Sequence, residues 1–161
     1  MRNEPEKAHK MARVVIDTNV LVSAFLKKGK SRSLVVKLLE KHAVILSSQM
    51  LAELADVLSR DKFNIASAQI DRFISVLVRQ AIVVPVISKL KIVLEDPDDD
   101  IILNTALSSE ADYIVSGDEH LLKIACYKNV KILSVNECIQ IIAEKNHNQR
   151  KTQSKIDLCH G

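Results

Sequence analysis

Arg13-Val14-Val15-Ile16-Asp17-Thr18-Asn19-Val20-Leu21-Val22-Ser23-Ala24 is the stretch on which the fold turns. Arg13 to Asp17 is short, apolar and β-branched, the pattern of a strand buried on both faces. A helix is predicted directly after it, from Thr18 to about Leu26 and ending near Gly29. A buried strand running straight into a helix is the first half of a βα unit, and the same alternation continues downstream. Further strands are predicted at Ala43–Leu46, Ile82–Val84, Tyr113–Val115 and Val130–Leu133. Between them, Ser31 is expected to cap a helix to about Lys41, with Leu34, Val35, Leu38 and Leu39 on one face. Ser47 or Ser48 caps a helix to Ser59 carrying Leu51, Leu54, Ala55 and Leu58, and Ser67 starts another with the stripe Ile70, Phe73, Ile74 and Leu77. The acidic run at 96–100 opens a helix through about Ser109, Asp118 opens the next, and Ser134 caps the last, to about Ala143. Strands alternating with helices at short spacing imply a mostly parallel sheet of five strands covered on both faces.

Composition narrows what such a fold can do. A chain of 161 residues suits one domain. Aromatic residues are only 3% with no Trp, so the core is aliphatic and a single-strand binder built on base-stacking platforms is disfavoured. The three cysteines, Cys126, Cys138 and Cys159, are odd in number and lack C-x-x-C spacing, which favours neither a disulfide framework nor zinc. A reducing cytoplasm is the location this suggests. No apolar run approaches the roughly 18 residues of a membrane span, and Met1 to Lys10 lacks the apolar stretch of a secretory signal. The net charge of +3 sits at the ends: residues 1–11 contribute +1 and residues 144–161 contribute +2, leaving the centre formally neutral. The expected organisation is a polar extension over 1–11, a folded domain over 12–143 and a basic, flexible tail over 144–161. Such a tail either helps to hold a polyanion or only keeps the protein soluble.

Four acidic positions carry the chemistry. Asp17 ends the first strand and Asp118 follows the strand Tyr113–Val115, both at carboxyl ends, where open α/β sheets keep their binding crevices. Each is also well placed simply to cap the next helix. Phosphatases with an Asp nucleophile in the Asp17 position need a second Asp two residues on, and Asn19 stands there. Asp96-Pro97-Asp98-Asp99-Asp100 is the densest charge; an EF-hand loop would need Gly and Glu where Ile101 and Leu107 stand. Acids in a first helical turn complement the helix dipole, but consecutive carboxylates repel, and a cation relieves that repulsion. Glu53 lies opposite its helix's apolar stripe, so its ordinary reading is a solvated glutamate. Carboxylates gathered at a sheet edge suit Mg²⁺ or Mn²⁺, and with them hydrolysis of phosphodiesters.

Three motifs, in order, resemble those of PIN domains. They are Val15 to Ala24; Asp96-Pro97-Asp98-Asp99-Asp100 with Ile101 to Ala106; and Ala111-Asp112-Tyr113-Ile114-Val115-Ser116-Gly117-Asp118 with Leu121-Leu122. The resemblance extends from about Ala12 to Ala143 and is closest to VapC-type ribonucleases, toxins of toxin–antitoxin systems. It implies a three-layer Rossmann-like domain with strand order 3-2-1-4-5 and Mg²⁺ or Mn²⁺ held by Asp17, Glu53, Asp99 and Asp118. Asn19 and Ser116 match the polar residues that support that quartet. Asp99 is preferred to Asp98 and Asp100 by its spacing to Ala106, with Asp100 the second choice. Relatives often carry a further Asp two places after the fourth acid, where this chain has His120.

The function so implied is a metal-dependent endoribonuclease acting in the cytoplasm. Its partners are RNA, an antitoxin protein and a second copy of the chain, with no membrane. Lys27, Lys28, Lys30 and Arg32, after the first helix, are candidates to meet RNA phosphates, against a plain solvated loop. Two other readings stand beside it: a non-catalytic PIN fold that binds RNA or protein, and a nuclease of RNA maturation.

Overall fold

The computed structural model describes residues 11–85 and 97–144, and among these the side chains of all but 97–99 and 143–144. The proposed extension and tail therefore fall almost wholly outside the described residues. Strands β1 (Arg13–Ile16), β2 (Ala43–Ser47), β3 (Ile82–Val84), β4 (Tyr113–Val115), β5 (Cys126–Tyr127) and β6 (Val130–Leu133) form one sheet ordered β3-β2-β1-β4-β6-β5. Helices α1 (Thr18–Leu26), α2 (Lys30–Lys41), α3 (Ser48–Leu58), α4 (Ser67–Gln80), α5 (Pro97–Ser108), α6 (Glu119–Ile124) and α7 (Val135–Glu144) connect and cover it. All strand pairs are parallel except β5 with β6. The sheet thus has six strands rather than the five expected. Without β5 the order is the expected 3-2-1-4-5.

The added strand explains its own invisibility in the sequence. Two residues carry no period, and the turn that folds β5 back onto β6 puts Lys128 at a positive φ of 53°. Gly at this first turn position would have signalled the hairpin; Lys128 does not, although Asn129 follows it in the turn. Ala125, just before β5, is held at φ 62° and ψ −47°, close to the rare classic γ-turn. Cys138 is a free, buried thiol. A short 3₁₀ turn at Asp61–Phe63 is also an addition to the sequence reading.

Burial follows from topology. Val14, Val15 and Ile16 are 1% exposed or less, because β1 lies in the middle of the sheet with helices over both faces. Val44 to Leu46, Ile114, Val115, Ile132 and Leu133 are buried for the same reason. Right-handed crossovers put the helices between β1 and β3 on one face and α5 and α6 on the other. Accordingly α1 packs on α2 and α3, and α5 packs on β1, β2 and β4. Among the described residues no helix is long and apolar enough to cross a membrane.

The helix ends are set as local chemistry dictates, with one departure. Ser47 accepts from the Met50 N–H at 3.1 Å, and Ser134 and Glu137 cap each other's N–H groups, each at 3.1 Å. Ser31 is not the cap of α2: Gly29 holds that position, without a side-chain bond. Nearby, Arg32 turns back onto α1, its Nε and Nη2 donating to the Ala24 and Phe25 carbonyls at 2.7 and 2.6 Å. Those carbonyls belong to the last turn of α1, which has no further residue to accept from within the helix. Arg32→Ala is expected to cost about 1.5–3 kcal/mol of stability, the range for hydrogen bonds to a charged group. Lys27→Ala and Lys28→Ala, at exposed positions, are expected to leave thermal melts unchanged. Equal melts for Arg32→Ala and the unaltered protein would contradict the capping role.

Candidate active site

Strand order reverses between β1 and β4, which lie side by side while their crossovers run to opposite sides. Ligands of open α/β sheets bind in the crevice outside the carboxyl ends at that point. Asp17 leaves β1 there, and its N–H donates to the carbonyl of Val115, the last residue of β4, at 2.9 Å. Asp17 is 3% exposed, an unusual burial for a carboxylate, and it is held from both strands. Ser116 Oγ donates to its Oδ2 at 2.6 Å, and the Asn19 N–H donates to its Oδ1 at 3.2 Å. The Asp118 N–H in turn donates to Ser116 Oγ at 3.0 Å, so one buried hydroxyl joins the two strand ends. Asp118 Oδ1 accepts from the His120 N–H at 2.8 Å and thereby starts α6.

The two helix-capping readings of Asp17 and Asp118 are thus correct as far as they go. They do not account for the burial of Asp17 or for Ser116, which belongs to neither helix. Asn19 serves the site through its backbone; its side chain is exposed.

Glu53 departs from the solvated glutamate that its helical position suggests. The fully buried residues of α3 are Met50, Leu54 and Leu58, so the apolar stripe is centred on these. Glu53 then sits at the stripe's edge, half-buried, next to the start of α1. Thr18 Oγ1 lies 3.4 Å from Glu53 Oε2 and 3.4 Å from Asp17 Oδ1. Thr18 is the site residue that the sequence did not single out. Its hydroxyl follows a strand-end acid, but its contact with a residue 35 positions away exists only because α3 packs on α1.

Asp99 lies in the first turn of α5, and its side chain is outside the described set. The position itself is informative. The far end of α5 is tied to the start of β1, where Arg13 Nε donates to the Ser109 carbonyl at 3.0 Å. From Ser109 back to Asp99 a helix rises about 15 Å, and from Arg13 to Asp17 a strand rises about 13 Å. The first turn of α5 therefore comes level with Asp17. Asp99 stands four residues before the buried Leu103, and Asp100, half-buried, stands three before Leu103 and four before the buried Asn104, so register alone does not choose between them.

The four basic candidates separate. Arg32 caps α1, and Lys30 Nζ donates to Asn136 Oδ1 of α7 at 3.3 Å. Lys27 and Lys28 are exposed at the end of α1 opposite Asp17, about 14 Å along the helix axis.

Burial raises the Asp17 carboxyl above its ordinary pKa of 3.8, and the charge of Asp118 adds to the rise. The donors Ser116, Asn19 and Thr18 oppose it without cancelling it. Among the described residues no group of three or more His, Cys, Asp or Glu side chains is arranged to hold a metal ion. The donors at hand nonetheless fit a hard cation: they are carboxylate oxygens, one of them buried at an energetic cost and repelled by its neighbour. A raised carboxyl pKa means that the folded state binds more protons than the unfolded one between the two pKa values. The contribution of Asp17 to stability is then greatest below pH 3.8 and is lost as pH rises through the folded-state value. In metal-free protein, Asp17→Asn is expected to raise the melting temperature at pH 7, with the gain shrinking as pH falls toward 3.8. Melts with a chelator across that range check it, and a lower melting temperature for the variant at pH 7 would contradict it.

With this geometry in hand, comparison with known proteins becomes specific. The PIN domain family matches residues 13–120, more than half of the chain. The chain belongs to the PIN domain family. Among solved structures it is similar to a chain in the crystal structure of VapBC2 from Rickettsia felis bound to a DNA fragment from their promoter. That likeness has a TM-score of 0.57 at 18% identity and covers 76% of this chain and 98% of that one, which makes it a likeness of fold. No curated protein matches the chain.

Proposed function

We propose that this PIN domain is a metal-dependent endoribonuclease and the toxin of a toxin–antitoxin pair. The observation that carries the nuclease reading is the buried Asp17 carboxylate at the switch point, joined to Asp118 through Ser116. A structural core gains nothing from a buried carboxylate with a second acid beside it, whereas a cation held between them would offset both the burial and the repulsion. Asp17, Glu53, Asp99 and Asp118 would hold Mg²⁺ or Mn²⁺, with Asp100 as the second choice for the α5 position. When bound there, such a cation would supply positive charge for the phosphodiester and lower the pKa of water.

The chain's own residues supply the rest. Ser116 and the Asn19 N–H fix the Asp17 oxygens, so the site needs little reorganisation when charge develops. The α6 cap fixes Asp118 in the same way. Water adds to phosphorus in line with the departing 3′ oxygen, which gains a proton overall, leaving 5′-phosphate and 3′-hydroxyl ends. Lys27 and Lys28 would meet the RNA backbone away from the scissile bond and offset the acidity of the pocket.

The toxin role rests on the resemblance of the motifs to VapC-type ribonucleases and on the likeness of fold to a chain of VapBC2. An antitoxin protein as partner, a homodimer and a cytoplasmic location follow from the same reading. Expression of the chain alone is expected to arrest growth, with rescue by the product of a small open reading frame beside its gene. Normal growth on expression of a cleavage-competent protein would favour RNA maturation instead.

A further inference from the structure

We infer that Thr18 is a positioning residue, one that sets the distance between Glu53 and Asp17 at which the two acids accept a divalent cation; this rests on the metal-nuclease reading above. Its hydroxyl lies equally far, 3.4 Å, from one oxygen of each carboxylate. That is longer than a settled O–H···O bond of about 2.5–3.0 Å, and a hydroxyl has a single proton to give. Thr18 Oγ1 therefore stands between the acids without being committed to either. It is 4% exposed, so water has little access to replace it. Its backbone is fixed as the first residue of α1, and its β-branched side chain has few rotamers. Glu53 brings the opposite properties: a long side chain on a different helix, with several torsions to restrain. A rigid hydroxyl beside a carboxylate on a longer side chain is an arrangement that outer residues of metal sites use to aim a ligand. Asp17 is fixed by Ser116 and Asn19, so Thr18 links that fixed acid to Glu53 across the two helices.

The test measures Mn²⁺ binding by calorimetry with the full chain, comparing Thr18→Val, Thr18→Ser and Glu53→Gln. Thr18→Val keeps the side-chain shape and is expected to weaken Mn²⁺ binding about 10-fold, with Thr18→Ser restoring it and thermal melts similar for both. In the Glu53→Gln background, Thr18→Val is expected to cause no further loss, because its target is gone. Unchanged Mn²⁺ affinity in Thr18→Val, or an equal loss in both backgrounds, would overturn the assignment while leaving the nuclease reading in place. Absence of Mn²⁺ binding by the unaltered protein would overturn both.

Discussion

Asp17→Asn is expected to lower Mn²⁺-dependent RNA cleavage by at least about 10²–10³-fold, the equivalent of some 3–4 kcal/mol of transition-state stabilisation. The substitution removes charge and little else. Asparagine is as good a helix cap as aspartate and still accepts the Asn19 N–H. Its amide also keeps an oxygen or nitrogen opposite Ser116 Oγ. The fold should therefore survive, and in metal-free protein it should become more stable, since the raised carboxyl pKa marks a charge that costs stability. Loss of activity together with gain of stability separates a functional carboxylate from a structural one. Undiminished cleavage by Asp17→Asn would remove the pocket from the chemistry.

The second large effect is expected at α5. Asp99→Asn should reduce cleavage by about 10²-fold, as for loss of one electrostatic contact to the reacting group, whereas Asp100→Asn should lie within a few-fold of the unaltered protein. The first turn of α5 comes level with Asp17, and within it Asp99 is the acid whose spacing to Ala106 matches the motif. Parallel assays of the two variants check it. A large loss in Asp100→Asn with none in Asp99→Asn would transfer the role to the second choice.

Much of this architecture was legible because β1, β2, β4 and β6 are apolar and bounded by helix signals that the structure uses. Ser47, Asp118 and Ser134 cap the helices expected of them, and α1 spans the predicted residues. What escaped has physical causes. β5 is too short for a period and turns through Lys128 rather than Gly. Ser31 looked like a cap because its residue type suits one, but α2 starts at Lys30 after Gly29. Arg32 resembled a phosphate ligand in a basic loop, yet two α1 carbonyls take up its guanidinium. The places of Asp17 and Asp118 after β1 and β4 were readable from the strands, but a strand-end acid also suits a helix cap, and only the surrounding motifs made them site candidates. The stripe Leu51, Leu54, Ala55 and Leu58 puts Glu53 on the solvent side, whereas burial keeps Leu54 and Leu58, adds Met50 and leaves Leu51 and Ala55 half-covered, which moves Glu53 to the stripe's edge. Thr18 could not be read at all, because its significance lies in a contact between two helices.

The central claim is that the acids at the switch point form a metal-dependent site for cutting RNA. The most direct measurement incubates the purified chain with total cellular RNA, with Mn²⁺ or with a chelator, and sequences the new 5′ ends. The account predicts discrete new ends bearing 5′-phosphate in the presence of Mn²⁺, and none with the chelator. Intact RNA under both conditions, or identical cleavage with the chelator present, would contradict it.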